Sequence, residues 1–511
     1  MKVRLLHPLR DFDLEGVLPA HADEVYQDLE VGTLCEAMAD DDEFLLQVAR
    51  QALLSCADND VETVRYRQRV LGDCLRAPEL VRELYAQVLE TLDTERRSMR
   101  FWTFGHSPSS LLYRGVKLME MLLDQLRTFR ILAERNAQRF ESDGFRRFFA
   151  MLQSELDDDY LATVASQLEA LQFKHGMLVG ARLGAGNKGS AYALKETPAP
   201  GNWLERILPG KRPEEFGFRI DARDQAGHTA LSELRDRGVE TLANTVSQAG
   251  EHMLDFFRQL RTELAFYVGA LELHGALRKC GCVLCRPEPK AASARRYAAT
   301  ALYDPCLTLN TGKAAVANDL QADGKELLIV TGANRGGKST FLRALGVAQL
   351  MLQAGLFVPA KAFSAALCPA VFTHYKREED VGMDSGKFDE ELVRMSAIAD
   401  SLVPNSLLLL NESFAATNEK EGSEIAAQVC AALLERNIKV VFVTHMYSFA
   451  HGMYARALPQ ALFLRAERRD DGERSFKILP GAPLKTSFGR DVYERVFAER
   501  RDAVDMNSRI A

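Results

Sequence analysis

The segment from Leu327 to Arg343 constrains this chain most: Leu-Leu-Ile-Val-Thr-Gly-Ala-Asn-Arg-Gly-Gly-Lys-Ser-Thr-Phe-Leu-Arg. A short apolar run enters Gly332-x4-Gly337-Lys338-Ser339 and leaves into a stretch with helical apolar spacing. Strand, glycine-rich turn and helix in that order are the context a phosphate-binding P-loop requires. The glycines let backbone N–H groups close around phosphate oxygens at a helix N-terminus. In such a loop Lys338 neutralises the β and γ oxygens, and the Ser339 hydroxyl ligates Mg2+.

Two more apolar runs complete the pattern. Ser406–Leu410 ends in Asn411-Glu412, at the carboxyl end of a strand, where parallel sheets deliver functional groups. Glu412 is the expected residue to polarise water. Asn411 stands where such sites generally have Asp, so its amide hydrogen-bonds a metal-bound water without charge and holds Mg2+ less strongly. Ile438–Val443 ends in Thr444-His445, which places a histidine near the γ-phosphate.

The rest of the chain reads differently. Residues 46–170 are mostly helical in spacing, with Leu80, Val81, Leu84, Val88, Leu89 and Leu92 after Pro78 and a break at 98–109. Phe101, Trp102 and Phe104 beside Arg96, Arg97 and Arg100 read as packing aromatics at a helix corner rather than a nucleic-acid surface. Gly184-Ala-Gly-Asn-Lys-Gly189 matches the dinucleotide-binding fingerprint formally, but strand-like alternation follows it, so it reads as a hairpin turn. The four prolines of 197–217 mark a boundary, and helical periodicity returns from Ala226 to Leu277. The bases between Arg278 and Arg296 suit phosphate contact or a solvated linker equally.

At roughly 150 residues per domain, 511 residues suggest about three domains. The net charge of −7 gives no generally basic coat, although residues 1–50 hold twelve acids against four bases and leave the remainder near neutral. This acidic segment reads as a solvated leader. No apolar stretch reaches the roughly 20 residues a bilayer requires, and no signal-peptide core is present, so a cytoplasmic location with reduced cysteines is expected. Cys280, Cys282 and Cys285, with His274 upstream, offer ligands for zinc, but a reduced, structurally idle loop is the preferred reading.

Gly332-Ala-Asn-Arg-Gly-Gly-Lys-Ser-Thr340 resembles the loop of DNA mismatch repair MutS-family ATPases, typically GPNMGGKST, at seven of nine positions. The resemblance extends to Phe357-Val-Pro-Ala360, Phe372-Thr373, Thr444-His445 and Ser487-Phe488-Gly489. Upstream it takes in Val64-x2-Arg67-Gln68-x-Val70-Leu71 with Asp93-x-Glu95-Arg96. It covers most of residues 45–500, and strongly only 318–489.

The resemblance implies a multidomain chain: an acidic leader (1–44), an α-helical core or lever domain (45–300) with a small β-rich insertion about 174–222, a C-terminal α/β P-loop NTPase domain of ABC type (301–500), and a tail (501–511). It implies ATP and Mg2+ as cofactors, with Gly332, Asn334, Gly336, Gly337, Lys338, Ser339, Thr340 and Ser385 binding nucleotide. Ser339 and Asn411 serve the metal, and Glu412 and His445 serve catalysis. The implied function is an ATP-dependent DNA-binding protein of repair or recombination, a homodimer acting on duplex or branched DNA, with no membrane partner.

Several positions depart from that family. The Walker B segment reads Asn411-Glu412-Ser-Phe-Ala-Ala-Thr417-Asn418, without the Asp and with Ala415 where an Arg is usual. Ser385-Gly386-Lys387 runs straight into Phe388, so Ser385 is only a substitute for the serine that acts in trans. The adenine-stacking aromatic falls at Ala315. With about 45 residues before the helical core, a mismatch-reading domain is not expected. Asn411 and the missing Arg motivate one alternative, a nucleotide-gated DNA-binding module with little hydrolysis. A second, an ABC-type ATPase of another complex, has against it the lack of an LSGGQ-like signature, a membrane span and a long heptad run.

Overall fold

A computed structural model describes residues 1–100, 107–174, 176–195, 217–376, 386–468 and 474–485. The chain divides into two compact units, one of residues 1–3, 82–140 and 145–261, the other of residues 4–81, 141–144 and 262–511.

The first unit is helical. It holds most of α5 (Pro78–Arg100), then α6 (Pro108–Asn136), α7 (Asp143–Glu155), α8 (Asp158–Ala170) and the N-terminal part of α9 (Gln225–Lys279). Its core is aromatic: Phe129 tilts against Phe257 at 5.7 Å between ring centroids, and Phe148 stacks on Phe256 at 6.4 Å. Ser107 caps α6 by accepting from Ser110 N–H, which explains why the helix restarts at Pro108. The glycine-rich turn joins β1 (Leu178–Leu183) and β2 (Gly189–Lys195), an antiparallel pair in which Leu178 faces Lys195. Phe101, Trp102, Phe104 and the proline-rich stretch lie outside the described residues.

The second unit is mixed. Its helices α1 (Ala22–Asp28), α2 (Val31–Ala39), α3 (Glu43–Leu54) and α4 (Val61–Arg76) come from the N-terminal part of the chain. β3 (Glu288–Lys290), β4 (Tyr297–Leu302), β5 (Asn318–Gln321) and β7 (Ala362–Ala366) form a four-stranded sheet in the order β3-β7-β4-β5, and α10 (Pro305–Thr311) follows β4. The larger sheet has the order β12-β11-β6-β10-β9-β8, from β6 (Leu327–Thr331), β8 (Val371–Tyr375), β9 (Leu407–Asn411), β10 (Lys439–Val443), β11 (Ala461–Arg468) and β12 (Arg474–Pro480). All neighbours there are parallel except β11 and β12. Continuous apolar runs such as Leu407–Leu410 suit strands covered on both faces, and all four leucines are fully buried. Helices α11 (Lys338–Gln353), α12 (Lys387–Ser401), α13 (Glu419–Glu435) and α14 (Tyr447–Ala455) complete the unit.

The acidic N-terminal segment is not a solvated leader. Leu5, Leu6, Val25, Leu29, Leu34 and Met38 are buried, and fully buried Glu263 accepts from the N–H groups of Leu5, Leu6 and Phe12. Fully buried Arg67 donates to Leu6 O at 2.8 Å and meets His7 Nε2 at 2.7 Å. Burial, with Arg67 beside it, pushes the His7 pKa down to about 3, so the ring is neutral and its Nε2 accepts. The net charge of the segment gave no sign of this, because its acids sit at caps and ion pairs while its apolar residues enter the core. Asp42 caps α3, Asp23 pairs with Arg50, and Glu30 pairs with Arg343.

Three of the six bases of 278–296 pair with acids: Lys290 with Glu288, Arg295 with Glu326 and Arg296 with Asp323. Among the described residues, no helix is long and apolar enough to cross a membrane.

Candidate functional site

The sheet register gathers the site. Val443 of β10 faces Val330 of β6 on one side and Asn411 of β9 on the other, so the carboxyl ends of three parallel strands lie side by side. Each strand hands over to one of the motifs read from the sequence.

Past β6 the chain turns through Gly332 to Gly337 and enters α11. Gly332 (φ +124°) and Gly337 (φ +91°) hold left-handed backbone that side chains rarely adopt, and a Cβ on Gly332 would lie 2.9 Å from the Ala466 Cβ. The first N–H groups of α11 have no partners within the helix and carry its partial positive charge. Lys338 is 5% exposed. Its Nζ donates to Gly332 O at 2.9 Å and Ala333 O at 3.1 Å, with Glu412 Oε1 at 4.0 Å. Burial pulls its pKa below the usual lysine value, against the opposing pull of Glu412. The ammonium therefore folds back on its own loop, ready to exchange two carbonyls for a stronger acceptor.

Ser339 Oγ donates to Asn411 Oδ1 at 3.0 Å. Glu412 N–H donates to Val443 O at 2.8 Å, tying the end of β9 to β10. Glu412 Oε2 accepts from His445 N–H at 3.2 Å and pairs closely with His445 Nδ1. That hydrogen bond raises the His445 pKa, against the lowering effect of burial. The expected site residues Lys338, Ser339, Asn411, Glu412 and His445 thus form one connected set. Gly336, Gly337 and Thr340 line the adjoining cavity, while Asn334 is exposed on the loop. Ser385 and Ser487-Phe488-Gly489 lie outside the described residues.

The cavity beside the loop measures about 480 Å³. Ala315 lies in its wall, as the sequence reading placed it, with Val316, Leu307 and Phe341 as further apolar lining. Phe476 supplies an aromatic wall that sequence reasoning missed: it sits on β12 with φ +57°, beside Gly337. Asn318 anchors that strand, donating to Phe476 O at 3.2 Å and accepting from Ile478 N–H at 2.8 Å. No local spacing links Phe476 to the loop, because only the sheet order brings them together.

The cysteine loop is placed elsewhere. Cys282 packs against Thr308, Cys285 pairs by its backbone with Val358, and His274 meets Phe357 edge-on. Among the described residues, no three His, Cys, Asp or Glu side chains gather as a metal group.

Comparison with known proteins agrees with these motifs. A MutS2 N-terminal domain matches residues 59–280, and MutS domain V matches residues 328–500, spanning the loop and every strand of the large sheet after β6 begins. MutS protein homolog 4 of Mus musculus is 32% identical over 150 residues, covering 29% of this chain and 16% of that protein. The DNA mismatch repair protein MutS of Thermus aquaticus is 34% identical over 180 residues, covering 35% of this chain and 22% of that protein. The one from Thermotoga neapolitana is 37% identical over 131 residues, covering 25% and 16%. The chain thus spans about a sixth to a fifth of the length of these relatives.

A helical part followed by a sheet domain with a glycine-rich loop is the class these matches define, ending in a MutS domain V. The chain belongs to the MutS family.

Proposed function

We propose that residues 301–500 are a P-loop NTPase domain of the ABC type that binds ATP with Mg2+, and that the chain is an ATP-dependent DNA-binding protein of repair or recombination. The observation that carries this reading is the joining of Lys338, Ser339, Asn411, Glu412 and His445 at the ends of three parallel strands beside a 480 Å³ cavity. The α11 N-terminus and Lys338 suit the β- and γ-phosphates, and Phe476 with Val316 suits an adenine ring. Ser339 Oγ and Asn411 Oδ1 are hard oxygen donors of the kind Mg2+ takes, which supports the fit of the metal. When bound, Mg2+ supplies charge stabilisation to the transferring phosphoryl group. Glu412 then orients the attacking water, and His445, held by Glu412, lies where it senses the γ-phosphate.

The helical unit, residues 82–140 and 145–261 rather than the whole of 45–300, would move with nucleotide state around duplex or branched DNA. The family resemblance supports a homodimer in which each copy completes its neighbour's site, with Ser385 as the candidate residue. Asn411 favours a second reading, a nucleotide-gated DNA-binding module with little hydrolysis, because this neutral side chain adds no charge to the metal site. ATP turnover measured with no DNA and with duplex, mismatched and branched DNA tests both. DNA-stimulated turnover that Glu412→Gln abolishes supports the ATPase; nucleotide-dependent DNA binding with turnover no higher than that of Glu412→Gln supports the gated module. Absence of both activities refutes the proposal.

A further inference from the structure

Glu412 stands in a kink that its residue type disfavours. Glu412 (φ +55°) and Phe414 (φ +63°) both hold left-handed backbone on either side of Ser413. Such residues persist only where the surrounding structure over-determines them. Here the grip comes from β8 and α12. Fully buried Ser413 donates through Oγ to His374 O at 2.7 Å, and the same Oγ lies 2.7 Å from His374 Nδ1. His374 is 1% exposed, and its Nε2 is 3.0 Å from Glu391 O. A carbonyl only accepts, so Nε2 carries a proton and donates to α12. The imidazole stacks on Phe414, with centroids 5.8 Å apart and planes at 23°. One residue on, Arg394 of α12 donates to Tyr375 O at 2.8 Å. Neither His374 nor Ser413 lines the cavity.

We propose that His374 and Ser413 are positioning residues for Glu412: their contact fixes the kink that aims its carboxylate, and the bond from His374 to Glu391 O couples that aim to α12. The inference rests on the reading of Glu412 as the group that orients water. Misplacing such a group by about 1 Å costs on the order of 100-fold in rate without touching the ligand's own contacts.

The test uses the full chain and its variants His374→Ala, His374→Asn, Ser413→Ala, the double alanine variant and Glu412→Gln, each confirmed as folded by its thermal transition. ATP turnover gives kcat, and equilibrium binding of a non-hydrolysable ATP analogue with Mg2+ gives Kd. Both alanine variants should lose about 10- to 100-fold in kcat with Kd within about twofold. His374→Asn, whose amide can still reach Ser413, should recover most of the loss. The double variant should lose no more than the worse single one, since both act through one contact. Wild-type kcat in folded alanine variants, while Glu412→Gln is inactive, overturns the positioning role and leaves the function of Glu412 intact. Parallel loss of kcat and analogue binding overturns it in favour of a merely structural role. Wild-type turnover equal to that of Glu412→Gln removes the reading of Glu412 itself, and the positioning role falls with it.

Discussion

Ser339 Oγ donates to Asn411 Oδ1 across 3.0 Å, joining the first turn of α11 to the end of β9. The acceptor is an amide oxygen, so the contact aligns two oxygen atoms without adding negative charge. Replacing Asn411 with Asp keeps the oxygen and adds the charge. The Mg2+ concentration for half-maximal ATP turnover should fall about tenfold in Asn411→Asp, on the scale of one charge-assisted contact. A Mg2+ titration of turnover checks this.

The pair of His445 with Glu412 gives a signed pH dependence. The His445 pKa is raised above 6.5, chiefly by its hydrogen bond to Glu412. Its contribution to stability is therefore fully present below pH 6.5 and is lost as pH rises through the raised value. The difference in Tm between the wild type and His445→Gln should be largest near pH 6 and should shrink toward alkaline pH. Melting curves across that range measure it; a difference that grows with pH would contradict the pairing.

Gly422 of α13 makes room for the kink after Glu412. A Cβ there would lie 2.4 Å from Phe414 O, a backbone atom that cannot step aside alone. Gly422→Ala should lower stability by about 1–3 kcal/mol through overpacking and reduce turnover as Glu412 shifts. Denaturant unfolding and kcat together check the two effects.

Arg343 of α11 makes an asymmetric set of ion pairs. It donates to buried Asp304 through Nε at 2.8 Å and Nη2 at 2.7 Å, and also pairs with the more exposed Glu30. Arg343→Ala leaves the Asp304 charge buried without its partner and should cost about 3–5 kcal/mol. Glu30→Gln should cost less than about 1 kcal/mol, because an exposed partner is readily replaced by water. Chemical denaturation of both variants gives the comparison.

Much of the candidate site was legible because its parts are local. The order of apolar run, glycines, lysine and helix around Gly332–Thr340 identifies the loop, and apolar runs ending in Asn411-Glu412 and Thr444-His445 show where strand ends deliver polar groups. Helical spacing likewise placed α9 within two residues at each end. What stayed hidden depends on long-range assembly. Phe476 reaches the cavity only through the β12-β11-β6 order, and the His374–Ser413 contact only through the pairing of β8 with β9. The N-terminal segment misled for a different reason: charge counts register Asp and Glu but not that Leu5, Leu6 and Leu29 enter the core.

The central claim is that the Gly332–Thr340 loop binds ATP through Lys338. Its most direct measurement is equilibrium binding of a non-hydrolysable ATP analogue, with Mg2+, to the wild type and to Lys338→Ala. The account predicts saturable binding of one nucleotide per chain and a loss of at least about tenfold in the variant, equivalent to one charge-assisted phosphate contact. No binding by the wild type, or equal affinity in both proteins, would contradict it.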